Sequence, residues 1–550
     1  MSETVVAEIP GAVSSAPAAR RHAAWAVIVV IIMALISGGA TVLGMRHQST
    51  TFDEILMPSA GARGYETGRF DLVLDHPPVA QYLYGLPVYL SGPDYPDESG
   101  FRYSYPTRYP YAQEFFWRAG NDPERIAFLA RLMGVAISVA LVFTIFVFTR
   151  RYWGDLAAVF AAGITAFLPD LLGHGGISYN DVPMALAFFG AVWALDIAVR
   201  RPSLGTAALA GVVSGIALGV KFSAIGLAPV GLLLVAAEAL TRDDDRAPYL
   251  AHVAKHLPVF VAVLYLTTVG LYLGDFSLAE FRWGLSFNII HAERGHGGVP
   301  AWLLGRAHPQ GFWYFFPIAL LLKTPAALHL LLALALLGFV GRKHGARWGI
   351  DSRLRAPILG GLVFLAFLMK ANLNIGFRHA LPLLPVLAVV GGVGAAYLWG
   401  RHTRLLRALL VALLVGQAAS TLSAYPNFIA YTSEYVGDRD EGFTALVDSS
   451  LDWGQGLLQL RGFMREEGIE TIYLSYFGSA LPDGYGIDYV PLISFFRLHE
   501  RPAPAEPPRF LAISATNLTG SYVGDSFAHF RSVEPYRVLG HSIFVFELED

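Results

Sequence analysis

Apolar segments long enough to cross a bilayer recur along most of this chain and constrain its fold more than any other feature. A helix needs roughly 20 apolar residues to span the hydrocarbon core. This length predicts eleven membrane-spanning helices, and the pair on either side of Lys221 is either two short spans or one long broken span. The predicted spans lie near residues 24–44, 126–149, 155–171, 182–199, 205–220, 222–240, 256–274, 313–340, 356–371, 380–399 and 404–423.

The composition also indicates an integral membrane protein. Only 15% of the 550 residues are charged, whereas soluble domains carry about 25%. A net charge of −3 gives no reason to expect nucleic-acid binding, and a sequence without cysteine excludes disulfides, zinc–thiolate sites and thiol catalysis. The first apolar run is too long for the hydrophobic region of a signal peptide. Residues 1–23 are therefore predicted to be a polar tail ahead of an uncleaved span.

Basic residues cluster in alternate connections between the predicted spans, as in "TRRYWG", "VRRPS" and "GRHTRLLR". Connections rich in Lys and Arg remain on the cytoplasmic side of a membrane. We therefore predict a multi-pass protein of the plasma (inner) membrane with a cytoplasmic N-terminal tail. Its outer loops would be residues 45–125, 172–181 and 275–312, and an odd number of spans would place the C-terminus on the same outer side.

The sequence pattern changes after residue 423. The stretch "SSLDWGQGLLQLRGFMREEG" has helical spacing, with Ser449 or Ser450 as a candidate N-cap and Gly468 as a stop. The stretches "TIYLSYFG", "RFLAISAT" and "SIFVFEL" are typical of strands. The chain is thus predicted to be a mainly α, polytopic membrane protein, with a membrane domain over residues 24–423 and a small extracytoplasmic α/β domain over residues 424–550.

Acidic residues follow two of the predicted spans on the outer side. Asp53 and Glu54 come directly after the first span, and Asp181 lies in the loop after the third. Ionisable residues at such positions are costly unless they serve a function. Each also has a structural explanation, because the Asp53–Glu54 pair can be a solvated helix end and Asp181 with Asn180 can be an N-cap.

Cationic residues lie on the same predicted side. Lys221 interrupts an apolar run, and Arg378 and His379 flank the tenth span. Lys221 can instead extend to the interface, as long cationic side chains do, and the other two can be ordinary flanking residues. The stretch "HAERGHGGVPAWLLGRAH" adds histidines without HxxxH or HExxH spacing, so no motif supports a divalent metal and no cofactor is predicted.

Several motifs, taken in order along the chain, resemble those of one family of membrane enzymes. "FDE" after the first span, followed by "HPPVAQYLYGL", resembles the first outer loop of the polyprenyl-phosphate-sugar-dependent GT-C glycosyltransferases. This group includes the protein O-mannosyltransferases and the aminoarabinose transferase that modifies lipid A. "PDLLGHGGISYNDVPMALAFF", "SGIALGVKFSA" and "NLNIGFRHALPLLPVL" resemble later motifs of the same group. The resemblance covers nearly the whole chain and implies a GT-C-like fold.

The resemblance also implies roles for individual residues. Asp53 would be the general base, Glu54 its neighbour in the acidic pair, and Asp181 the second acidic residue of the site. The implied partners are a polyprenyl-phosphate-linked sugar, membrane lipids and a protein, lipid or polysaccharide acceptor. The residues implied to face the donor phosphate are Arg131, Lys221, Arg378 and His379.

The chemistry of such a transfer needs these residue types. The acceptor hydroxyl must lose a proton as it attacks the anomeric carbon, and a carboxylate can take that proton. Negative charge develops on the leaving phosphate, where fixed cations stabilise it. One base and an in-line displacement predict inversion at the anomeric carbon by a hexosyl- or pentosyltransferase.

A different class of function is also compatible with many spans. A transporter or flippase for a lipid-linked or small polar substrate would have a similar composition, and such proteins often contain internal repeats with paired broken helices. No clear repeat occurs in this sequence, and large outer loops with an outer C-terminal domain favour an enzyme.

Overall fold

The computed structural model describes residues 24–98, 107–242, 245–340, 352–401, 403–502 and 504–548, so the predicted tail over residues 1–23 lies outside it. Helices dominate up to residue 422, and a small sheet region follows, as the sequence predicted. The elements of the first part are α1 (Ala24–Gly44), α2 (Leu56–Thr67), α3 (Val79–Tyr89), α4 (Arg108–Trp117), α5 (Pro123–Trp153), α6 (Asp155–Ala166), α7 (Pro169–Gly175), α8 (Asp181–Arg200), α9 (Leu204–Val220), α10 (Leu227–Ala239), α11 (Arg246–Leu271), α12 (Ala279–Arg294), β1 (Ala301–Leu303), β2 (Arg306–His308), α13 (Phe315–Lys323), α14 (Ala326–Val340), α15 (Arg355–Lys370), α16 (Leu384–Arg401) and α17 (Arg404–Leu422).

Every one of the predicted spans coincides with helix, but the helices differ in length. Within the described ranges, seven are long and apolar enough to cross a membrane, and there are up to nine if each of two bent pairs is one span. The two predicted spans outside this count are α9 and α15, which are helices of 17 and 16 residues. These apolar helices indicate a membrane protein.

Two of the predicted spans are bent rather than straight. Helices α6 and α7 meet at 59°, and α13 and α14 meet at 110°. Leu168 and Thr324, which stand directly before Pro169 and Pro325, are extended, with ψ angles of 123° and 144°. A proline drives the preceding residue away from the helical region, so the sequence itself sets the position of both bends.

A further break lies at Lys221. Helix α9 ends at Val220, Lys221 is extended (φ −156°, ψ 136°), and a 3-10 turn over Phe222–Gly226 leads into α10. Helices α9 and α10 both pack against α8. Of the two alternatives, the structure therefore has two short helices with Lys221 between them.

The described part of the segment between α1 and α5, predicted as the first outer loop, contains the helices α2, α3 and α4. Helices α2 and α3 approach backbone to backbone, because a Cβ atom on Gly61 would lie 1.9 Å from the carbonyl oxygen of Gln81. Only glycine permits this approach. Helix α2 begins three residues after Asp53, so its packing against α3 anchors the segment that carries this acid.

The sheet region after α17 is mixed. Its strand order is β4–β3–β5–β7–β6, in which β3 is parallel to both of its neighbours and the remaining pairs are antiparallel. Alternate residues of the central strand belong to two separate hydrophobic clusters, so both faces of the sheet are covered. The elements are α18 (Gly442–Ala445), α19 (Leu457–Glu466), β3 (Thr471–Ser475), β4 (Asp488–Pro491), β5 (Phe510–Ser514), α20 (Ala515–Leu518), β6 (Arg537–Leu539) and β7 (Ile543–Glu547).

The helix predicted to start near Ser449 or Ser450 starts later, at Leu457, so the predicted N-cap is wrong. The residues before it form a buried turn that contacts the first outer segment. The backbone N–H of Phe52 donates to the oxygen of Trp453 at 2.8 Å. Glycine at position 468 has φ 65° just beyond the end of α19, which confirms the predicted stop. The turn thus joins the sheet region to the residue next to Asp53.

Candidate active site

A cavity of about 340 Å³ lies between the membrane helices and the sheet region, and we call it the polar cavity. Ionisable groups line one part of it and aromatic rings line another. The lining residues are Phe52, Asp53, Asp75, His76, Arg108, Tyr109, Tyr179, Lys221, Phe287, Asn288, His291, His296, Leu373, Ile375, Arg378, His379, Asp448, Trp453, Phe477, Phe495, Phe496 and Tyr522.

A second cavity, of about 120 Å³, continues from the first among the membrane helices. We call it the apolar groove, because hydrophobic side chains, among them those of Met184, Leu285 and Phe364, form most of its wall. The two cavities share Lys221, Asn288, Leu373, Arg378 and His379. An apolar compartment and a polar compartment therefore meet where cationic side chains are concentrated.

Arg378 lies at this meeting point and bridges two acids. Its Nη2 is 3.2 Å from Asp53 Oδ2, and its Nη1 is 3.5 Å from Asp181 Oδ2. The Nε atom donates to Ser449 Oγ at 3.0 Å. The guanidinium also lies 4.2 Å from the ring centre of Trp453, a geometry in which the ring attracts the cation. These contacts hold Arg378 in one orientation.

Asp181 and Lys221 form a second ion pair beside Arg378. Lys221 Nζ is 2.5 Å from Asp181 Oδ1 and 3.4 Å from His379 Nδ1. Asn180 makes no side-chain cap for α8, and the Asp181 carboxylate pairs with cations. The N-cap explanation therefore does not describe these residues. Lys221, 14% exposed, points to this acid and does not extend to a surface.

Asp53 lines the polar cavity from the segment directly before α2. Its Oδ1 accepts a hydrogen bond from the Tyr109 hydroxyl at 2.5 Å, and its Oδ2 faces Arg378. Burial raises the pKa of Tyr109 well above its ordinary value, so this phenol remains protonated and donates. The two contacts fix the direction of the Asp53 carboxylate, which is 14% exposed.

The neighbouring acid, Glu54, lines neither cavity. Arg131 Nε and Nη2 donate to its carboxylate at 2.7 and 2.8 Å. The remaining N–H groups of Arg131 donate to the backbone oxygens of Met45, Gln48 and Ser49. All five N–H groups of this guanidinium are thus engaged in a buried pair that closes the turn between α1 and α2.

The geometry divides the seven predicted site residues into two groups. Glu54 and Arg131 form the sealed pair just described, and their predicted roles in catalysis and phosphate binding stay predictions. The other five lie in one connected cluster where the two cavities meet: Asp53, Asp181, Lys221, Arg378 and His379.

The cavity also contains ionisable residues to which no role was assigned from the sequence. Arg108 Nη2 is 3.5 Å from Asp75 Oδ2, and the Tyr179 hydroxyl is 2.7 Å from His76 Nε2. The motif "LDHPP" was a usable signal for Asp75 and His76, since an acid and a histidine stand before two prolines. Tyr109 had no comparable signal, because it lies 56 residues from Asp53 along the chain.

Within the parts of the chain that the structure describes, no three His, Asp or Glu side chains are grouped as metal ligands. The prediction that the reaction uses no cofactor stays a prediction.

Comparisons with known proteins give one family match and a structural likeness. Residues 105–268 match the family described as dolichyl-phosphate-mannose-protein mannosyltransferase. The chain is similar in structure to ArnT from Cupriavidus metallidurans, for which one structure is bound to undecaprenyl phosphate and another is in the apo state. Each match has 14% sequence identity and a TM-score of 0.50, and covers 95% of this chain and 97% of that chain. No curated protein sequence matches significantly.

The two comparisons cover different parts of the site. The family match contains Arg131, Asp181 and Lys221, whereas Asp53 and Arg378 fall outside it. The structural likeness extends over nearly the whole chain and shows the fold. The chain is therefore a membrane protein with a GT-C glycosyltransferase fold, and it resembles ArnT and the dolichyl-phosphate-mannose-protein mannosyltransferases, as its motifs predicted.

Proposed function

We propose that this protein transfers a sugar from a polyprenyl phosphate to an acceptor hydroxyl on the outer face of the membrane. The observation that carries the proposal is the meeting of the apolar groove and the polar cavity at Lys221 and Arg378, beside Asp53. A donor consists of an apolar tail, a phosphate and a sugar. These would match, in the same order, the apolar groove, the cations Lys221 and Arg378, and the polar cavity.

The tail of the donor would occupy the apolar groove. Side chains such as Met184, Leu285, Ile289 and Phe364 line this groove. Such surroundings can receive an isoprenoid chain from the interior of the bilayer without exposing its apolar surface to water. The likeness to ArnT, a structure solved with undecaprenyl phosphate bound, supports this part of the proposal.

The phosphate would bind between Lys221 and Arg378. A guanidinium presents a planar fork of donors that suits phosphate, and an ammonium acts as a compact charge. Asp181 contacts both cations and would keep them in place while no sugar donor is bound. When the bond to the sugar breaks, negative charge grows on the phosphate, and preorganised cations in a buried site stabilise it.

Asp53 would act as the general base. The acceptor hydroxyl attacks the anomeric carbon, its proton passes to Asp53, and the bond from that carbon to the phosphate oxygen breaks. Arg378 contacts Asp53 through Nη2, so a phosphate on another edge of the same guanidinium would lie close to the base with the sugar between them. This arrangement suits in-line displacement with inversion. Glu54 and Arg131 would position the Asp53 segment.

The proposal includes an orientation in the plasma membrane. Residues 24–423 would form the catalytic membrane domain, the N-terminus would be cytoplasmic, and residues 424–550 would lie outside the cytoplasm. The sugar would be a hexose or a pentose, and the acceptor a protein, lipid or polysaccharide hydroxyl.

Cysteine labelling tests this orientation, because the natural chain has no thiol that would react in the background. Ser532 and Ser352 are both exposed and lie on opposite predicted sides. In intact spheroplasts, Ser532→Cys is expected to react with a membrane-impermeant maleimide, and Ser352→Cys is expected to react only after lysis. The reverse pattern would place the polar cavity on the cytoplasmic side.

Arg378→Lys is expected to raise the KM for the donor about tenfold, because a lysine keeps the charge but cannot bridge Asp53, Asp181 and a phosphate with one rigid fork. Steady-state rates at limiting donor measure the effect. Arg497→Lys is the matched control, since Arg497 is exposed and lines none of these cavities. An unchanged donor KM in Arg378→Lys would move the phosphate site away from Arg378.

The activity itself is tested by donor cleavage. Purified protein in nanodiscs is incubated with a polyprenyl-phosphate sugar, and free polyprenyl phosphate is measured over time. Release of polyprenyl phosphate with transfer of the sugar is expected. Movement of an intact donor across the bilayer without cleavage would instead establish a flippase.

A further inference from the structure

Lys323 carries a positive charge into the interior of the protein, outside the polar cavity and the apolar groove. It ends α13 at the bend before α14, and its side chain is completely buried. The ammonium donates to the backbone oxygens of Ile429, Tyr431 and Ser450, each at 2.7 Å. Because a lysine has three N–H donors, all of them are engaged. Lys323 therefore holds backbone in place and has no donor left for a ligand.

Asp170 supplies the opposite charge. Its Oδ1 is 3.5 Å from Lys323 Nζ and 3.7 Å from Nε2 of His174, and all three side chains are buried. The ring of His174 in turn lies 5.9 Å from that of Trp453. Apolar side chains of similar size often stabilise a buried position at least as well as an ion pair does, so stability alone is a weak reason for these charges.

One of the three oxygens that Lys323 binds belongs to the buried turn over residues 449–453, which we call the anchor turn. The backbone oxygen of Ser450 accepts from Lys323, and its hydroxyl accepts from the backbone N–H of Phe377 at 2.9 Å. Phe377 directly precedes Arg378 in the chain. Two hydrogen bonds thus connect the Lys323 ammonium to the backbone beside Arg378.

The anchor turn also contacts the side chain of Arg378. Ser449 Oγ accepts from Arg378 Nε at 3.0 Å and donates to the backbone oxygen of Ile375 at 2.9 Å. The ring of Trp453 lies beside the guanidinium. The approach is close, because a Cβ atom on Gly376 would lie 1.9 Å from Ser449 Oγ. A displacement of the anchor turn would therefore displace the guanidinium.

The position of this guanidinium matters for the proposed chemistry. A misplacement of about 1 Å can cost on the order of 10²-fold in rate, and functional groups need support that holds them within about 0.5 Å. We propose that Lys323 is a positioning residue for the donor phosphate: its ammonium, with Asp170 as counter-charge, fixes the anchor turn, and the anchor turn fixes Arg378. This inference rests on the proposed function, which places the phosphate at Arg378.

Lys323→Met tests the inference, since methionine resembles the lysine stem and lacks the ammonium. Binding of undecaprenyl phosphate to the full-length protein in detergent is measured by native mass spectrometry, with undecaprenol, which has no phosphate, as the second probe. We expect the Kd for undecaprenyl phosphate to rise about tenfold and the Kd for undecaprenol to stay unchanged. Lys255→Met, at an exposed helical lysine, is the matched control and should bind both probes like the natural protein.

A purely structural role for Lys323 gives a different result. Loss of folded protein lowers the number of binding sites and leaves the Kd of each remaining site unchanged, and a distorted apolar groove weakens the binding of both probes. Either result overturns the positioning role.

Ser449→Ala shows whether the effect passes through the anchor turn. Alone, it is expected to weaken the binding of undecaprenyl phosphate, because Arg378 Nε loses its acceptor. Residues that act through one network have non-additive effects, so Lys323→Met should weaken binding less in the Ser449→Ala background than in the natural protein. Effects that multiply in full would overturn the route through the anchor turn.

Ser450→Ala decides the question if Lys323→Met does not fold. It keeps the buried charges, removes the hydroxyl that accepts from Phe377, and is expected to weaken the binding of undecaprenyl phosphate but not of undecaprenol. An unchanged Kd for undecaprenyl phosphate in Ser450→Ala would overturn the inference and leave the proposed function standing. The proposed function fails separately, if the natural protein binds undecaprenyl phosphate but never cleaves a polyprenyl-phosphate sugar.

Discussion

Asp53→Asn is expected to reduce the turnover of sugar transfer by about 10²–10⁴-fold, the range typical for the loss of a general base. The asparagine oxygen can still accept the hydrogen bond from Tyr109, so the local structure should remain. Donor binding should also remain, because the variant removes a competitor of the phosphate for Arg378. Initial rates at saturating donor, with the donor affinity measured separately, give the result.

The matched control for this prediction is Asp525→Asn, which removes an exposed carboxylate of the sheet region and should leave turnover unchanged. Melting temperatures in detergent establish that both variants are folded. Natural turnover in a folded Asp53→Asn variant would remove this residue from the role of base, and Asp75 would become the next carboxylate to examine because it lines the same cavity.

Arg131→Leu is expected to destabilise the protein by about 3–5 kcal/mol, because it leaves Glu54 charged and buried without its partner. The backbone oxygens of Met45, Gln48 and Ser49 lose their donors as well. Thermal melting in detergent measures the loss. The double variant Arg131→Leu with Glu54→Leu should recover part of the stability, since it removes the uncompensated charge.

This second prediction separates two roles for Arg131. The resemblance implies a contact with the donor phosphate, whereas the structure places the guanidinium against Glu54 and three backbone oxygens. A folded Arg131→Leu variant that melts like the natural protein but needs more donor would restore the phosphate role.

The membrane part of the fold could be predicted from sequence because its signal is local. An apolar run of sufficient length is visible without knowledge of any partner, and all the predicted spans coincide with helices. The bends at Pro169 and Pro325 were missed, although the prolines that cause them are visible in the sequence.

The site could be predicted only in part, because its contacts join residues that are far apart in sequence. The sequence indicated that Asp53 and Glu54 matter as a pair, but only the structure shows that one lines the polar cavity and the other pairs with Arg131. The contact of Arg378 with Ser449 joins positions 71 residues apart. The hydroxyl of Ser449, predicted as an N-cap, instead accepts from Arg378, and helix α19 begins at Leu457.

The central claim is that the phosphate of a polyprenyl-phosphate sugar binds between Lys221 and Arg378 with its sugar in front of Asp53. A structure of the Asp53→Asn variant with this donor bound tests it most directly, because the substitution prevents turnover. We expect the phosphate within hydrogen-bond distance of Lys221 Nζ and the Arg378 guanidinium, the tail in the apolar groove, and the anomeric carbon facing position 53. A phosphate bound elsewhere, with the tail outside the apolar groove, would contradict the account.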